Sequence, residues 1–237
     1  MKMVLLRVGI DSGAGGIQGP LFSDGSFEFI PIPDSSGRGA RTYGNTVGIN
    51  GRPLVAYFPD RKQQSMQTQS MHVDPEFESF TYGDPTKPKA GLRKLSKGDI
   101  LVFYAGLSGC DHKCAPALYI VGYFVVEWAG LAPELSDDEL HHRCGNNFHV
   151  AHSEIFQEQK SHLVLVQGGA GSRLLSRARL ISAIGANKAG QPLKVLSQEA
   201  QEIFGDFGGK ISIQRSPPRW VNKQNVAAAK TFLESLP

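Results

Sequence analysis

The chain has 237 residues, 25 Lys and Arg against 22 Asp and Glu, a formal net charge of +3, and 41% apolar residues. So small a charge implies no nucleic-acid or anionic-membrane partner by itself, and 27 Gly with 14 Pro is high for a globular chain but short of low complexity. No apolar run reaches the ~18 residues of a membrane-spanning helix, the Met1–Val8 segment is too short and carries Arg7 where a secretory signal is apolar, and three cysteines fit a reducing cytoplasm better than a disulfide framework.

In chain order, residues 3–10 (MVLLRVGI) predict a buried strand running into the Gly-rich turn Asp11–Gly16. Residues 27–32 (FEFIPI) are a second apolar run, which Pro31 and Pro33 push toward an edge strand or extended segment. Residues 34–52 predict a long loop and 53–58 (PLVAYF) a short strand, whereas 59–97 hold few regular patterns. The middle is clearest. A tight turn at 97–99 leads into a strand at 100–104, a loop over 106–116, and a long strand over 117–128 bulged at Gly122. Ser136 is a candidate N-cap for a short helix that begins with three acidic residues. Residues 163–166 predict a strand, 172–179 a short helix or turn, and 180–181 another strand. Helical spacing covers 198–204 and 222–236. Without regular βαβ alternation, this order predicts one α+β domain over 1–237. It is built on a mostly antiparallel curved sheet or small barrel with a few peripheral helices and long loops.

Three sets of residues carry candidate chemistry. Asp11, Gly13, Gly15 and Gly16 follow a strand and can leave backbone N–H groups for an anion. Their spacing matches no nucleotide-binding fingerprint, and a tight turn needing positive φ explains them as well. Cys110, Cys114, His141 and Cys144 make a zinc site chemically conceivable, but 26 residues with a core strand separate the thiol pair from His141. A Cys–His nucleophile pair is equally conceivable and equally unsupported by spacing. Basic residues cluster at Arg38, Arg41 and Arg52, at Lys87, Lys89, Arg93, Lys94 and Lys97, at Arg173, Arg177 and Arg179, and at Arg215 and Arg219. Tyr57, Phe80, Tyr82, Phe103 and Tyr104 supply aromatic faces nearby, although Phe103 inside an apolar strand reads as core. Cations for phosphate and flat rings for bases together make a nucleic-acid or nucleotide surface.

The stretch KGDILVFYAGL…ALYIVGYFVVEW resembles PUA-like domains of the ASCH and EVE kind, small β-barrels that bind RNA or modified bases, over a core of roughly 92–185. The segments 5–34, 72–85, 92–107, 118–126 and 168–182 together resemble the nucleotide modification associated domains of the third type. That resemblance implies association with base-modification systems of bacteria and phages. It supplies no catalytic residues, and the cysteines fall outside its pattern.

Together these readings imply a cytoplasmic domain that binds a nucleotide or modified base in a loop-lined pocket, with no membrane partner and no cofactor assigned. Asp11 and the Gly13–Gly16 turn form one wall, and Tyr82, Asp84 and Tyr104 another. Asn146, Asn147 and His149 hydrogen-bond a base edge, and Arg41, Arg173 and Arg177 contact phosphate. An alternative is an enzyme acting on a nucleotide or base, a hydrolase or transferase. It would use Asp11, Asp74, Glu76 or Asp84 as general base and His72 or His149 for proton transfer. A third reading is a protein-interaction scaffold in a modification or defence operon.

Overall fold

Met3, Val4, Leu5 and Leu6 are all at or below 1% exposure, as expected of an interior strand covered on both faces. They form β1 (Met3–Arg7) in the computed structural model, which describes residues 1–214 and 217–237. Arg215 therefore lies outside the described residues. There follow β2 (Gly19–Leu21), β3 (Ile32–Pro33), α1 (Asp60–Met66), β4 (Met71–His72), β5 (Thr81–Asp84), β6 (Ile100–Gly109), β7 (Ala117–Leu131), α2 (Asp137–Cys144), α3 (Phe148–Ala151) and α4 (Ser153–Gln159). The chain then forms β8 (Val164–Gly168), β9 (Arg173–Leu180), β10 (Ser182–Ala186), β11 (Pro192–Leu196), α5 (Gln198–Phe204), β12 (Arg219–Trp220) and α6 (Val226–Ser235). None of these helices is long and apolar enough to cross a membrane.

The main sheet runs β12–β1–β6–β7–β8–β5, with β2 added to β6 and β9 to β7. β1 and β2 both pair β6 in parallel, at opposite ends of its length. The other pairings in this sheet are antiparallel. β7 has two irregularities. Phe103 faces Gly122 while Tyr104 faces Ile120, which leaves Val121 as an extra residue beside the glycine. Val126 faces Gly168 while Trp128 faces Gln167, which leaves Glu127 as a second. Extra residues bend a strand and increase its twist. The bent strand offers its first part to β9 and its last part to β8. The fold is thus α+β around a curved, mainly antiparallel sheet. Among the described residues it stays open and does not close into a barrel.

Among the described residues, three apolar cores hold the elements. The largest centres on Phe103 and Phe124, whose rings are 4.6 Å apart with Phe77 against both. A second gathers Ile10, Ile30, Tyr43, Leu54, Val55, Phe58 and Met71 beneath the loops of residues 10–71. Tyr43 donates to the Pro31 carbonyl at 2.8 Å within it. A third lies between α2–α4 and β8, from Leu140, Cys144, Val150, Phe156, Leu163 and Leu165.

The helix expected at 198–204 forms there, and Ser136 caps α2 in a reciprocal capping box with Glu139. The long C-terminal helix is shorter than expected, because a 3₁₀ turn at Lys223–Asn225 precedes it. Three expectations need correcting. Residues 53–58 form a 3₁₀ turn (Leu54–Tyr57), not a strand, because pairing with residues 43–47 stops at an isolated bridge from Pro53 to Val47 and Leu54 and Val55 are drawn into the second core. Residues 172–179 form β9 rather than a helix or turn, because the open edge of β7 satisfies their backbone groups. β6 continues to Gly109, into the expected loop, because β2 pairs with that end. The 27–32 run, expected as an edge strand or an extended segment, contributes only Ile32 to a strand, while Phe27 and Ile30 fill two different cores.

Phe103 is fully buried at the centre of the aromatic cluster. Phe103→Ala should lower the unfolding free energy by about 3–5 kcal/mol, measured by urea titration. A loss under about 1 kcal/mol would mean that this cluster does not carry the core.

Candidate functional site

The segment 72–74 begins the site. Asp74 donates its backbone N–H to the His72 carbonyl at 3.0 Å, closing a tight turn directly after β4. The Asp74 carboxylate then accepts the Gly83 N–H of β5 at 2.9 and 3.2 Å. α3 brings the third group. Asn147 caps that helix, its side-chain oxygen accepting the His149 N–H at 3.1 Å. His149 Nε2 lies 3.4 Å from Asp74 Oδ2 and 3.2 Å from His72 Nε2. On its other side, His149 Nδ1 is 2.6 Å from Gln159 Oε1, at the end of α4. An amide oxygen only accepts, so this contact puts a proton on Nδ1. The side chains of Asp74 and His149 are only 3% and 5% exposed. The Asn147 side-chain nitrogen is buried behind them with no hydrogen-bond partner.

Burial dominates the electrostatics. It pushes His72 down to about 4, helped by the neighbouring His149, so His72 is neutral at pH 7. Burial raises the Asp74 carboxyl to about 6, with His149 opposing the rise. Burial alone would lower His149, but the hydrogen bond and charge of Asp74, with Gln159 behind them, lift it above the ordinary histidine value.

His72 and Asp74 open onto a cleft of about 590 Å³ whose other walls include Arg7, Asp11, Tyr82, Asp84, Pro88, Lys89 and Gln214. That volume lies within the roughly 300–1,000 Å³ of small-molecule sites. Its charges are paired. Arg7 meets Asp11 at 3.0 Å, and Lys89 meets Asp84 at 2.8 Å. Tyr82 donates to the same Asp84 carboxylate at 3.0 Å. Burial would raise Asp84, but Lys89 and Thr86 outweigh it and hold the carboxyl below its usual range. Tyr82 is raised well above the ordinary phenol value by burial, then by the Asp84 and Asp74 charges, and stays a neutral donor.

Asp11, Asp74, Tyr82, Asp84, His72, Asn147 and His149 therefore belong to one neighbourhood. The remaining predicted residues lie elsewhere. The Gly13 and Ala14 N–H groups donate to the Asp11 side chain and the Gly16 N–H to its carbonyl, so the Gly-rich turn satisfies itself. Gly15 has φ +97°, and a Cβ there would meet Ile10 at 2.4 Å. Tyr104 is buried and donates to the Ile213 carbonyl at 3.0 Å. Asn146 is exposed, off the cleft. Glu76 is buried and accepts the Ser79 N–H of its own loop at 2.9 Å. Arg41 pairs with Glu78 along a separate groove. Arg173 donates to the Leu236 carbonyl at 2.7 Å and lies over Tyr123, and Arg177 is exposed beside Gly25. Among the described residues, Cys110, Cys114, His141 and Cys144 do not gather; Cys110 and His141 are exposed while Cys144 is buried in the third core. Arg7, Lys89 and Gln159 were not expected at the site.

The chain belongs to the nucleotide modification associated domain 3 family, whose profile matches residues 2–234. Comparison with curated proteins and with solved structures finds no match.

Two changes test how the site is held. A Cβ on Gly83 would lie 2.7 Å from Asn147 Oδ1 and 2.9 Å from a His149 ring carbon. Gly83→Ala should cost about 1–3 kcal/mol in a urea titration and shift the His149 imidazole resonances; unchanged resonances would place β5 and α3 further apart. Asp34, next to β3, accepts the Ser36, Arg38 and Gly39 N–H groups and holds the loop beside β4. Burial would raise its carboxyl, but the bonds from Ser36, Gly39 and Arg38 lower it overall. A depressed carboxyl contributes stability above about pH 4 that is lost as pH falls through its folded value. Asp34→Asn should therefore be less stable at pH 7 and lose less between pH 4 and pH 2.5; parallel stability curves for the two proteins would contradict this role.

Proposed function

We propose that the cleft receives a nucleobase presented by nucleic acid, as part of a cytoplasmic bacterial or phage base-modification system in which residues 1–237 act as one unit. The observation that carries this reading is the cleft itself. It has the volume of a small-molecule site, an aromatic phenol in Tyr82, and both donors and acceptors at its walls. Membership of a family named for nucleotide modification supports it. With Arg7 and Lys89 each paired to a carboxylate, the cleft suits a polar, neutral base edge better than a bare phosphate. Phosphate contacts fall instead to the rim, where the 3₁₀ segment Lys87–Lys94 carries exposed Lys87, Arg93 and Lys94 around cleft-lining Pro88 and Lys89. A base whose edge is read in a cleft must come from single-stranded substrate or be flipped out of a duplex.

Action on that base, rather than reading alone, is favoured by His72, Asp74 and His149. Polar side chains buried at a cleft wall are costly to maintain and mark functional sites.

Fluorescence anisotropy with a labelled single-stranded oligonucleotide tests the binding half. Single strand should bind more tightly than duplex, with affinity falling as salt rises. The double variant Lys87→Ala/Arg93→Ala should reduce the log–log salt slope by roughly 0.7 per lost phosphate contact. No binding of either form at 50 mM salt, or a slope unchanged in the variant, would overturn the assignment.

A further inference from the structure

The contact between the two imidazoles has a chemical peculiarity. Gln159 Oε1 holds the proton of His149 on Nδ1, so in the neutral ring Nε2 presents a lone pair. That lone pair faces Asp74 Oδ2 at 3.4 Å and His72 Nε2 at 3.2 Å. A proton on His149 Nε2 or on His72 Nε2 can bridge one of these contacts at a time, whereas a single cation set among the three atoms engages all of them at once.

We propose that His72 Nε2, Asp74 Oδ2 and His149 Nε2 form the protein side of a binding site for a first-row divalent transition metal, with its remaining coordination positions turned to the cleft. The geometry fits. Ligand atoms bonded at 2.0–2.2 Å and subtending 90–110° lie roughly 3.0–3.4 Å apart, the range of the two measured separations. The three ligand atoms all lie within 4.8 Å of one another. The donor types fit as well. Two imidazoles and one carboxylate suit zinc, iron(II), cobalt(II) or nickel(II), whereas calcium and magnesium prefer all-oxygen shells. Three protein ligands with open positions is the count of catalytic rather than structural centres. The outer shell is in place: Gln159 orients the His149 ring, and the Gly83 N–H orients the Asp74 carboxylate. Outer partners of this kind are what metal-binding histidines and carboxylates use to fix tautomer and direction.

This inference deepens the reading of the cleft as the functional centre, and it does not depend on nucleic acid being the ligand. The experiment uses the full chain, stripped with chelator and titrated anaerobically with cobalt(II), then with zinc. Calorimetry should show one ion per chain, and cobalt should develop visible absorption bands. His72→Ala and Asp74→Asn should each weaken binding by about 100-fold or more, and Gln159→Leu, which leaves all three ligands intact, by about 10–100-fold. Circular dichroism establishes that each variant is folded; should the ligand variants fail to fold, Gln159→Leu still decides. The double variant Cys110→Ser/Cys114→Ser should bind as the parent does. Absence of stoichiometric binding would overturn the proposal. So would binding that survives in the folded His72, Asp74 and Gln159 variants, or binding abolished only when the thiols are removed. Oligonucleotide binding without metal binding would overturn this inference alone, and metal binding without oligonucleotide binding would overturn only the nucleobase reading.

Discussion

β7 is fifteen residues long, and the two extra residues at Val121 and Glu127 bend it in two places. The rest of the molecule follows from that bend. An unbent strand would carry one neighbour along its free edge, whereas the bent one carries β9 and then β8. β8 in turn holds β5, and β5 supplies the Gly83 N–H that anchors Asp74. Gly122 makes the first bend feasible, because a Cβ there would sit 2.7 Å from the Arg173 carbonyl and from the Phe77 ring.

The site lies where three separately packed regions meet. His72 comes from β4, beside Met71 of the second core. Tyr82 and the β5 backbone come from the edge of the main sheet. His149 comes from a helix flanked by residues of the third core. No one core holds all three, and each hydrogen bond across the junction ties one region to another. The polar groups there are costly to bury, and the bonds among Asp74, Gly83, His149 and Gln159 offset part of that cost, so the cluster orders the junction.

Charge placement separates the cleft from the rest of the surface. Inside it, both cations are matched by carboxylates and the third carboxylate lies against the His149 imidazole. Exposed positive charge stands at the rim, along the 3₁₀ segment beside Lys89. A weak overall charge is therefore compatible with a locally positive edge to the cleft. Arg41 and Arg173, which sequence clustering made equal candidates, are committed to Glu78 and to the C-terminal backbone.

The long apolar strands, the capped α2, the α5 segment and the Phe103 core are legible in the residues themselves, because periodicity and capping are local properties. The family resemblance is legible too, since its segments run along most of the chain. Local pattern misread 53–58 and 172–179, where a strand-like and a helix-like stretch were decided by how far pairing with a neighbouring edge extends. The site was half legible. His72, Asp74, Asp84 and His149 stood out as chemistry-bearing types, but nothing in the sequence joined residue 74 to residue 149, or residue 149 to Gln159. Local pattern settles which segments are strands and helices when their own backbone and side chains suffice. Which distant polar groups share one buried space is decided by tertiary packing, because the cost of burying them is met only by partners that the fold brings from elsewhere in the chain.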